Sequence, residues 1–296
     1  MIDYKLMEAL AYVVRNGGFD KAAGRLNLSQ SAVSQRVRLL EDQTGQILLA
    51  RTTPPRATPA GRRMLKHYQQ VTRLEGDLFN DLNPAPTRQF SMISVGVNAD
   101  SLATWFLDAV IPLLKDARVL IDVIVDDQER THRFLRNGDV SGCIGTADHP
   151  IQGCSKTYLG RMDYRLTATV AFKKKWFPQG LTRKSVGVAP ALMFNRKDDL
   201  HNKMLNQLFE HPPSQLPAHY LPSSEKYVGF ITSGLAYGLI PESQCREHLD
   251  SGRLIDLTPE YSVKVKLYWH CWNLNSPLLK NLTRHLLAGA RKKLRQ

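Results

Sequence analysis

The chain has 296 residues, 43% of them hydrophobic and 23% charged, and a formal net charge of +13. That length allows two or three domains with separate cores, and the composition excludes a disordered, collagen-like or disulfide-stapled chain. The basic balance favours a polyanionic partner, and no apolar run approaches the ~18 residues of a bilayer span, so no membrane partner is expected.

Residues 4–16 read as a helix, with Leu6, Leu10 and Val13 on one side and Met7 and Val14 beside them. From Gly18 to Glu41 the chain reads GFDKAAGRLNLSQSAVSQRVRLLE, two short helices and a tight joint. Phe19, Ala22, Ala23 and Leu26 fall at i, i+3, i+4, i+7 on the first. Ser29 can cap the second by accepting from an orphan N–H of its first turn. That second helix buries Val33, Val37 and Leu40. Its other face carries Ser31, Ser34, Gln35 and Arg38, with no acid between Gln30 and Leu40. Such side chains hydrogen-bond base edges and phosphates, so the segment reads as a helix-turn-helix with its second helix in the recognition role. The expected DNA-contacting set there is Ser29, Gln30, Ser31, Ser34, Gln35, Arg36 and Arg38. A helical hairpin with a solvated polar face is the alternative. Between Arg15 and Arg73 stand 11 Lys/Arg against 3 acids (Asp20, Glu41, Asp42), a local excess of +8 that mere solubility does not require.

After Gly45 come Ile47, Leu48 and Leu49, then Arg51, a Pro54-Pro55 turn with Arg56 near its tip, and a return through Ala57-Thr58. This predicts a small β-wing with Arg51 and Arg56 against phosphate or in the flanking minor groove. A proline-stiffened loop with two solvated arginines is the alternative. Thr58-Pro59 reads as an N-cap followed by proline at the first helical position. A long helix then runs to about Leu82, with Met64, Tyr68, Val71, Leu78 and Leu82 in a narrow stripe that suits a two-helix seam with a second subunit. The run Asn83-Pro84-Ala85-Pro86-Thr87 breaks the composition and marks a boundary.

Beyond Phe90 strands and helices alternate. Strands are expected at 90–97, 119–125, 140–146, 166–172, 191–194, 218–221, 237–240, 254–257 and 264–272. Helices are expected at 100–114, 129–137, 200–209, 224–233 and from about Pro277 to Leu294. Open α/β sheets of this kind bind ligands outside the carboxyl ends of their strands. Four scattered cysteines, with no C-x-x-C and no histidine cluster at metal spacing, read as free thiols in a reducing, cytoplasmic compartment, and no metal is expected. No G-x-S-x-G, phosphate-binding loop, dinucleotide fingerprint or H-E-x-x-H occurs, so no enzyme, catalytic residue or cofactor is expected.

The segments FDKAAGRLNLSQSAVSQRVRLLEDQTGQILLART and TPAG, followed by a long helix and about 200 residues of α/β chain, resemble the LysR-type transcriptional regulators over the whole length. RTTPPRATPAG, VNADSLATWFL, SGRLIDLTP and LYWH are similar to the branch that answers to arginine and lysine. The resemblance implies an α+β multidomain fold. A winged helix-turn-helix would occupy 1–58 and a linker helix 59–83. A C-terminal α/β effector domain like periplasmic binding proteins would follow, one subdomain from 90–164 and 265–296, the other from 165–264. It implies a homodimer or homotetramer on double-stranded DNA, with RNA polymerase as a further partner. It also implies control of arginine and lysine transport and metabolism genes, with L-lysine, L-arginine or both as effector. An architectural or replication-associated DNA-binding protein without an effector is the competing reading.

Candidate effector residues lie in three stretches. In VNADSLATW, Asn98, Ala99, Asp100 and Ser101 sit where a helix N-terminus offers N–H groups to a carboxylate; Asp100 or Ser101 could equally cap the helix. Asp126, Asp127 and Glu129 follow the second strand and could meet a basic side chain, or form a solvated loop. On family resemblance, Ser223, Ser224 and Glu225 line the opposite wall of the cleft.

Overall fold

The computed structural model describes residues 3–82, 90–126 and 131–296. Helix α1 (Tyr4–Asn16) starts where Asp3 accepts from the Lys5 N–H at 2.9 Å and stops at Gly17, whose φ of 71° ends the helix at little steric cost. Helix α2 (Phe19–Leu26) ends at Asn27 in the left-handed region, and the Ser29 hydroxyl, accepting from Ala32 N–H at 3.1 Å, caps α3 (Gln30–Thr44). The three helices bury Leu6, Leu10, Val13, Ala22, Val33, Val37 and Leu40 in one core. Strands β1 (Leu49–Ala50) and β2 (Arg56–Ala57) pair antiparallel as the wing. Helix α4 (Pro59–Leu82) follows. At Gly61 it presses on the wing so closely that a Cβ there would sit 2.0 Å from the Leu48 carbonyl oxygen.

The remaining chain builds one nine-stranded sheet. In order, its elements are β3 (Ser91–Asn98), α5 (Ala99–Ser101), a π-helical turn over Leu102–Phe106, α6 (Leu107–Asp116) and β4 (Val119–Asp126). Then come α7 (Thr131–Asn137), β5 (Gly142–Gly145), β6 (Cys154–Ala168), α8 (Val170–Trp176), α9 (Arg183–Val186) and β7 (Ala191–Met193). Next are α10 (Leu200–Leu208), β8 (Ala218–Tyr220), α11 (Ser224–Thr232), β9 (Tyr237–Pro241) and α12 (Glu242–Asp250). β10 (Ile255–Asp256), β11 (Val263–Trp272) and α13 (Pro277–Lys293) complete the chain. The strand order is β4-β3-β5-β11-β6-β9-β7-β8, with β10 beside β6. β3 runs parallel to β4 and β5, and β7 parallel to β8 and β9; β6 and β11 are antiparallel partners that join the two parallel sets. Tyr164 pairs with Val263 on one side and Pro241 on the other, so it sits at the junction. Helix α13 crosses α6 at Gly289, where a Cβ would lie 2.3 Å from that of Ala109.

Several elements differ from the sequence expectation. A strand was expected over 166–172, whereas β6 begins at Cys154, ends at Ala168, and gives way to α8 capped by Thr169. Its first half is polar and half-exposed, which hid the strand; burial becomes continuous only toward Ala168. Helix α12 was not expected. Its sequence ESQCREHLD buries only Cys245, so it carries no apolar periodicity.

Candidate DNA interface and effector cleft

Ser29, Gln30, Ser31, Ser34, Gln35 and Arg38 are exposed on α3 and its cap, and Arg36 is half-buried. Ser29 and Ser31 bond each other at 2.9 Å, so both hydroxyls already serve the cap. Glu41 at the far end of α3 accepts from the Leu48 and Leu49 N–H groups at 2.8 and 3.1 Å, which fixes the wing against the recognition helix. Arg51 follows β1 directly. Arg56 lies inside β2 opposite Ala50 rather than at the tip, because the turn between the strands spans 51–55. Both arginines are exposed. The module thus presents a polar helix face beside two guanidinium groups, the complement of a groove flanked by phosphates.

In the α/β part, β3 and β4 end side by side, with Asn98 paired to Asp126. Asn98 is buried at the entry to α5 and Ser101 is buried one turn on; Asn98 Oδ1 and Ser101 Oγ have no hydrogen-bond partner. Asp100 is the meeting point. Its Oδ2 accepts from the Tyr164 hydroxyl at 2.6 Å and its Oδ1 from the Ser224 hydroxyl at 2.6 Å. Gln244 donates to the same Ser224 oxygen at 3.4 Å. Three elements distant in sequence, α5, β6 and α11, therefore converge on one carboxylate. The space they enclose is about 20 Å³, enough for a water molecule and too small for an amino acid, so the cleft is closed. Among the described residues its wall holds two carboxylates, Asp100 and Asp198, and no Lys, Arg or His. Asp198 accepts from the Phe194 and Leu200 N–H groups, both at 3.0 Å. Burial raises the Tyr227 phenol pKa well above its ordinary value, with the charges of Asp198 and Asp100 adding to it, so Tyr227 stays protonated and donates to the Leu192 carbonyl. Beside this wall His201 is buried against Tyr237, and burial pushes its pKa down.

Of the residues expected in the cleft, Asp100 and Ser224 line its wall; Asn98, Ala99 and Ser101 neighbour Asp100 at the start of α5 without lining it, and Asp126 stands at the end of β4 beside Asn98. Ser223 instead caps α11, accepting from Lys226 N–H at 3.4 Å, and Glu225 is exposed and forms no part of the wall. Asp127 and Glu129 lie outside the described residues. Tyr164, Asp198, Tyr227 and Gln244 were not expected in the cleft. Asp198 had a legible signal, since a pair of aspartates before a helix is turn chemistry; Tyr164 and Gln244 are placed only by tertiary pairing. Among the described residues no cluster of His, Cys, Asp and Glu could hold a metal, and no helix is long and apolar enough to cross a membrane.

Residues 4–62 match the bacterial regulatory helix-turn-helix protein, lysR family, and residues 92–291 match the LysR substrate binding domain. The chain is 41% identical to the HTH-type transcriptional regulator ArgP of Aeromonas salmonicida over 293 residues, covering 99% of this chain and 98% of that one. It is 43% identical to ArgP of Pseudomonas aeruginosa over 300 residues, covering 98% and 96%. Among solved structures, ArgP from Mycobacterium tuberculosis superposes with a TM-score of 0.90 at 34% identity, covering 100% of this chain and 99% of that one. Full-length LysG from Corynebacterium glutamicum with bound effector Arg superposes with a TM-score of 0.80 at 29% identity, covering 100% of both.

Proposed function

The chain belongs to the LysR family of transcriptional regulators, and from that premise we propose that it senses a basic amino acid, L-arginine or L-lysine, in the cleft around Asp100. It is a DNA-binding regulator and not an enzyme. The observation that carries the effector assignment is the wall itself: two carboxylates, Asp100 and Asp198, and among the described residues no cation, face the space, and Asn98 and Ser101, which flank Asp100 in the chain, have unpartnered side-chain oxygens. A ligand bearing an ammonium or guanidinium gains charge-assisted hydrogen bonds there, and an acidic ligand gains none. Asp100 receives one cationic group, and the acid-rich segment beginning at Asp126 receives the other. The arginine found in LysG supports the same chemistry.

The mechanism follows from the closed geometry. Ser224 and Tyr164 donate to Asp100 when the cleft is shut, and the effector must open it and replace those donors. Entry therefore favours one arrangement of the two subdomains (90–164 with 265–296, and 165–264) over another, and only that difference in affinity can do regulatory work. The module over 1–58 and the linker helix over 59–83 carry the change to DNA. In a homodimer or homotetramer, paired recognition helices enter major grooves about 34 Å or a multiple of it apart, at an operator with two-fold character. The targets are genes of arginine and lysine transport and metabolism, read in the cytoplasm with RNA polymerase as a further contact. Calorimetric titration with L-lysine, L-arginine and L-leucine tests this. Saturable binding of a basic amino acid alone is the expected result; heat with none of the three, or with leucine equally, overturns it.

A further inference from the structure

A second cavity neighbours the one at Asp100 and shares Gln244 with it. It measures about 430 Å³, within the range of small-molecule sites. The π-helical turn 102–106, β6, α12 and the end of α13 enclose it. Its chemistry is opposite to that of the cleft. Arg161, Arg246, Lys292, Lys293 and Arg295 line it, against Asp163 and Glu242. Those two carboxylates are heavily shared. Asp163 meets Arg161 at 2.8 Å and Arg295 at 3.4 Å; Glu242 meets Arg246 and Arg295, both at 2.9 Å, and Arg165 at 3.6 Å. Lys293 takes Asp108 at 3.5 Å. Guanidinium groups that share a carboxylate retain unused N–H donors and uncompensated charge. Trp105 forms another part of the wall, and its buried indole N–H has no hydrogen-bond partner. Met162 and Leu294 supply apolar surface.

We propose that this crevice is a second ligand site, taking a small organic anion with a carboxylate or phosphate group, and that it is coupled to the effector cleft. Gln244 carries the coupling, because it lines both cavities and reaches Asp100 through the Ser224 hydroxyl. The helix that begins at Ala99 and Asp100 also runs directly into the turn holding Trp105. An anion that draws Arg246 and Arg295 inward moves the start of α12, and with it Gln244. The coupling rests on the effector reading above; the anion site itself does not.

The test is calorimetric titration of the full chain with citrate and with 3-phosphoglycerate, alone and in the presence of saturating duplex DNA. Duplex occupies the basic N-terminal module, so binding that persists belongs elsewhere. One saturable site per chain for at least one probe is expected. Lys292→Glu and Arg246→Gln change exposed side chains and leave the unfolding midpoint in place; each is expected to weaken the probe by roughly tenfold. L-lysine affinity is expected to change by severalfold when the probe saturates, and the probe's affinity by the same factor when lysine does. Failure of both probes to bind, displacement by duplex, or undiminished binding in both variants overturns the site. Unchanged lysine affinity overturns the coupling. Probe binding as expected with no binding of lysine or arginine would sink the effector reading and leave the anion site standing.

Discussion

Gly138 and Lys66 lie back to back: a Cβ added to Gly138 would stand 2.8 Å from the Lys66 Cα and 2.9 Å from its Cβ. Gly138 ends α7 with φ at +85°, and Lys66 belongs to the long helix α4. Next to this contact Asp139 is partly buried, which raises its pKa; a hydrogen bond from Asn137 and the charge of Arg62 on α4 work the other way. The docking joins the helix that leaves the DNA-binding module to the first helix after β4, the strand that ends at the cleft in Asp126. Gly138→Ala faces both the left-handed backbone, about 1 kcal/mol for a residue with a Cβ, and the collision with Lys66. Effector affinity is expected to stay within about twofold of the parent, while the change in DNA affinity on adding effector shrinks. Paired titrations with and without duplex read both quantities. An unaltered DNA response would show that this contact does not transmit the signal.

Asp100 answers to a charge test. Asp100→Asn keeps the size of the side chain and removes the carboxylate that accepts from Tyr164 and Ser224. A charge-assisted hydrogen bond to a ligand ammonium is worth about 1.5–3 kcal/mol, so basic amino acid affinity is expected to fall by roughly ten- to a hundredfold. Ser224→Ala removes only a donor that competes with the ligand. It is expected to leave affinity equal or slightly improved, because the shut cleft loses one of its clasps. Calorimetry on the two variants separates these effects. Equal losses in both would mean that the wall matters for shape and not for charge.

How much of this was readable in the chain depends on where the information sits. The N-terminal module is local: Val33, Val37 and Leu40 are buried, Ser29 caps α3, and the polar face is exposed, all as spacing and capping chemistry require. The wing was legible except for Arg56, whose position depends on how long the turn is. The effector domain is non-local. Asp100 stood out as a polar residue at a strand-to-helix turn, but its partners lie 64 and 124 residues away. No period in the sequence could name Tyr164 or Ser224 as the donors. β6 illustrates the same limit: its half-exposed first stretch became a strand only because β11 pairs with it from Cys154 to Tyr164.

Two buried histidines set an acid limit. Burial lowers the pKa of His201, with the charge of Asp198 opposing. Burial also lowers that of His270, opposed by its hydrogen bond with the Ala147 carbonyl and reinforced by Lys156, His149 and His132. The sign follows from which state takes the proton first. The unfolded chain protonates these rings near their ordinary value of about 6.5, and the folded chain does so only at lower pH. Stability is therefore full above that value and falls as pH drops below it, by up to about 1.4 kcal/mol per pH unit for each ring. Urea unfolding at pH 8.0, 7.0, 6.0 and 5.5 reads the slope before carboxylates dominate. It is expected to be flat from 8.0 to 7.0 and steep below 6.5, and shallower in His201→Asn. A flat profile down to 5.5 would contradict the assignment.

The DNA face divides into residues that read sequence and residues that hold charge. Gln35 is exposed in the middle of the polar face of α3, with no role in the cap. Arg51 opens the wing turn and Arg56 follows it in β2; both are exposed, and the wing is tied to α3 through Glu41. A glutamine in the major groove discriminates between bases by about 1–3 kcal/mol. Gln35→Ala is thus expected to narrow the gap between operator and unrelated duplex, leaving the salt dependence alone. A phosphate-bound arginine contributes to all sequences alike, and its loss flattens the slope of log affinity against log salt by about one. Arg51→Ala and Arg56→Ala are each expected to weaken operator and unrelated duplex together and to show that flatter slope. Fluorescence anisotropy at several salt concentrations, on both duplexes, separates the two classes. If Gln35→Ala lowers both affinities equally, the reading face of α3 must lie at Ser34 and Arg38 instead. If the arginine variants keep the parent slope, the wing does not touch phosphate.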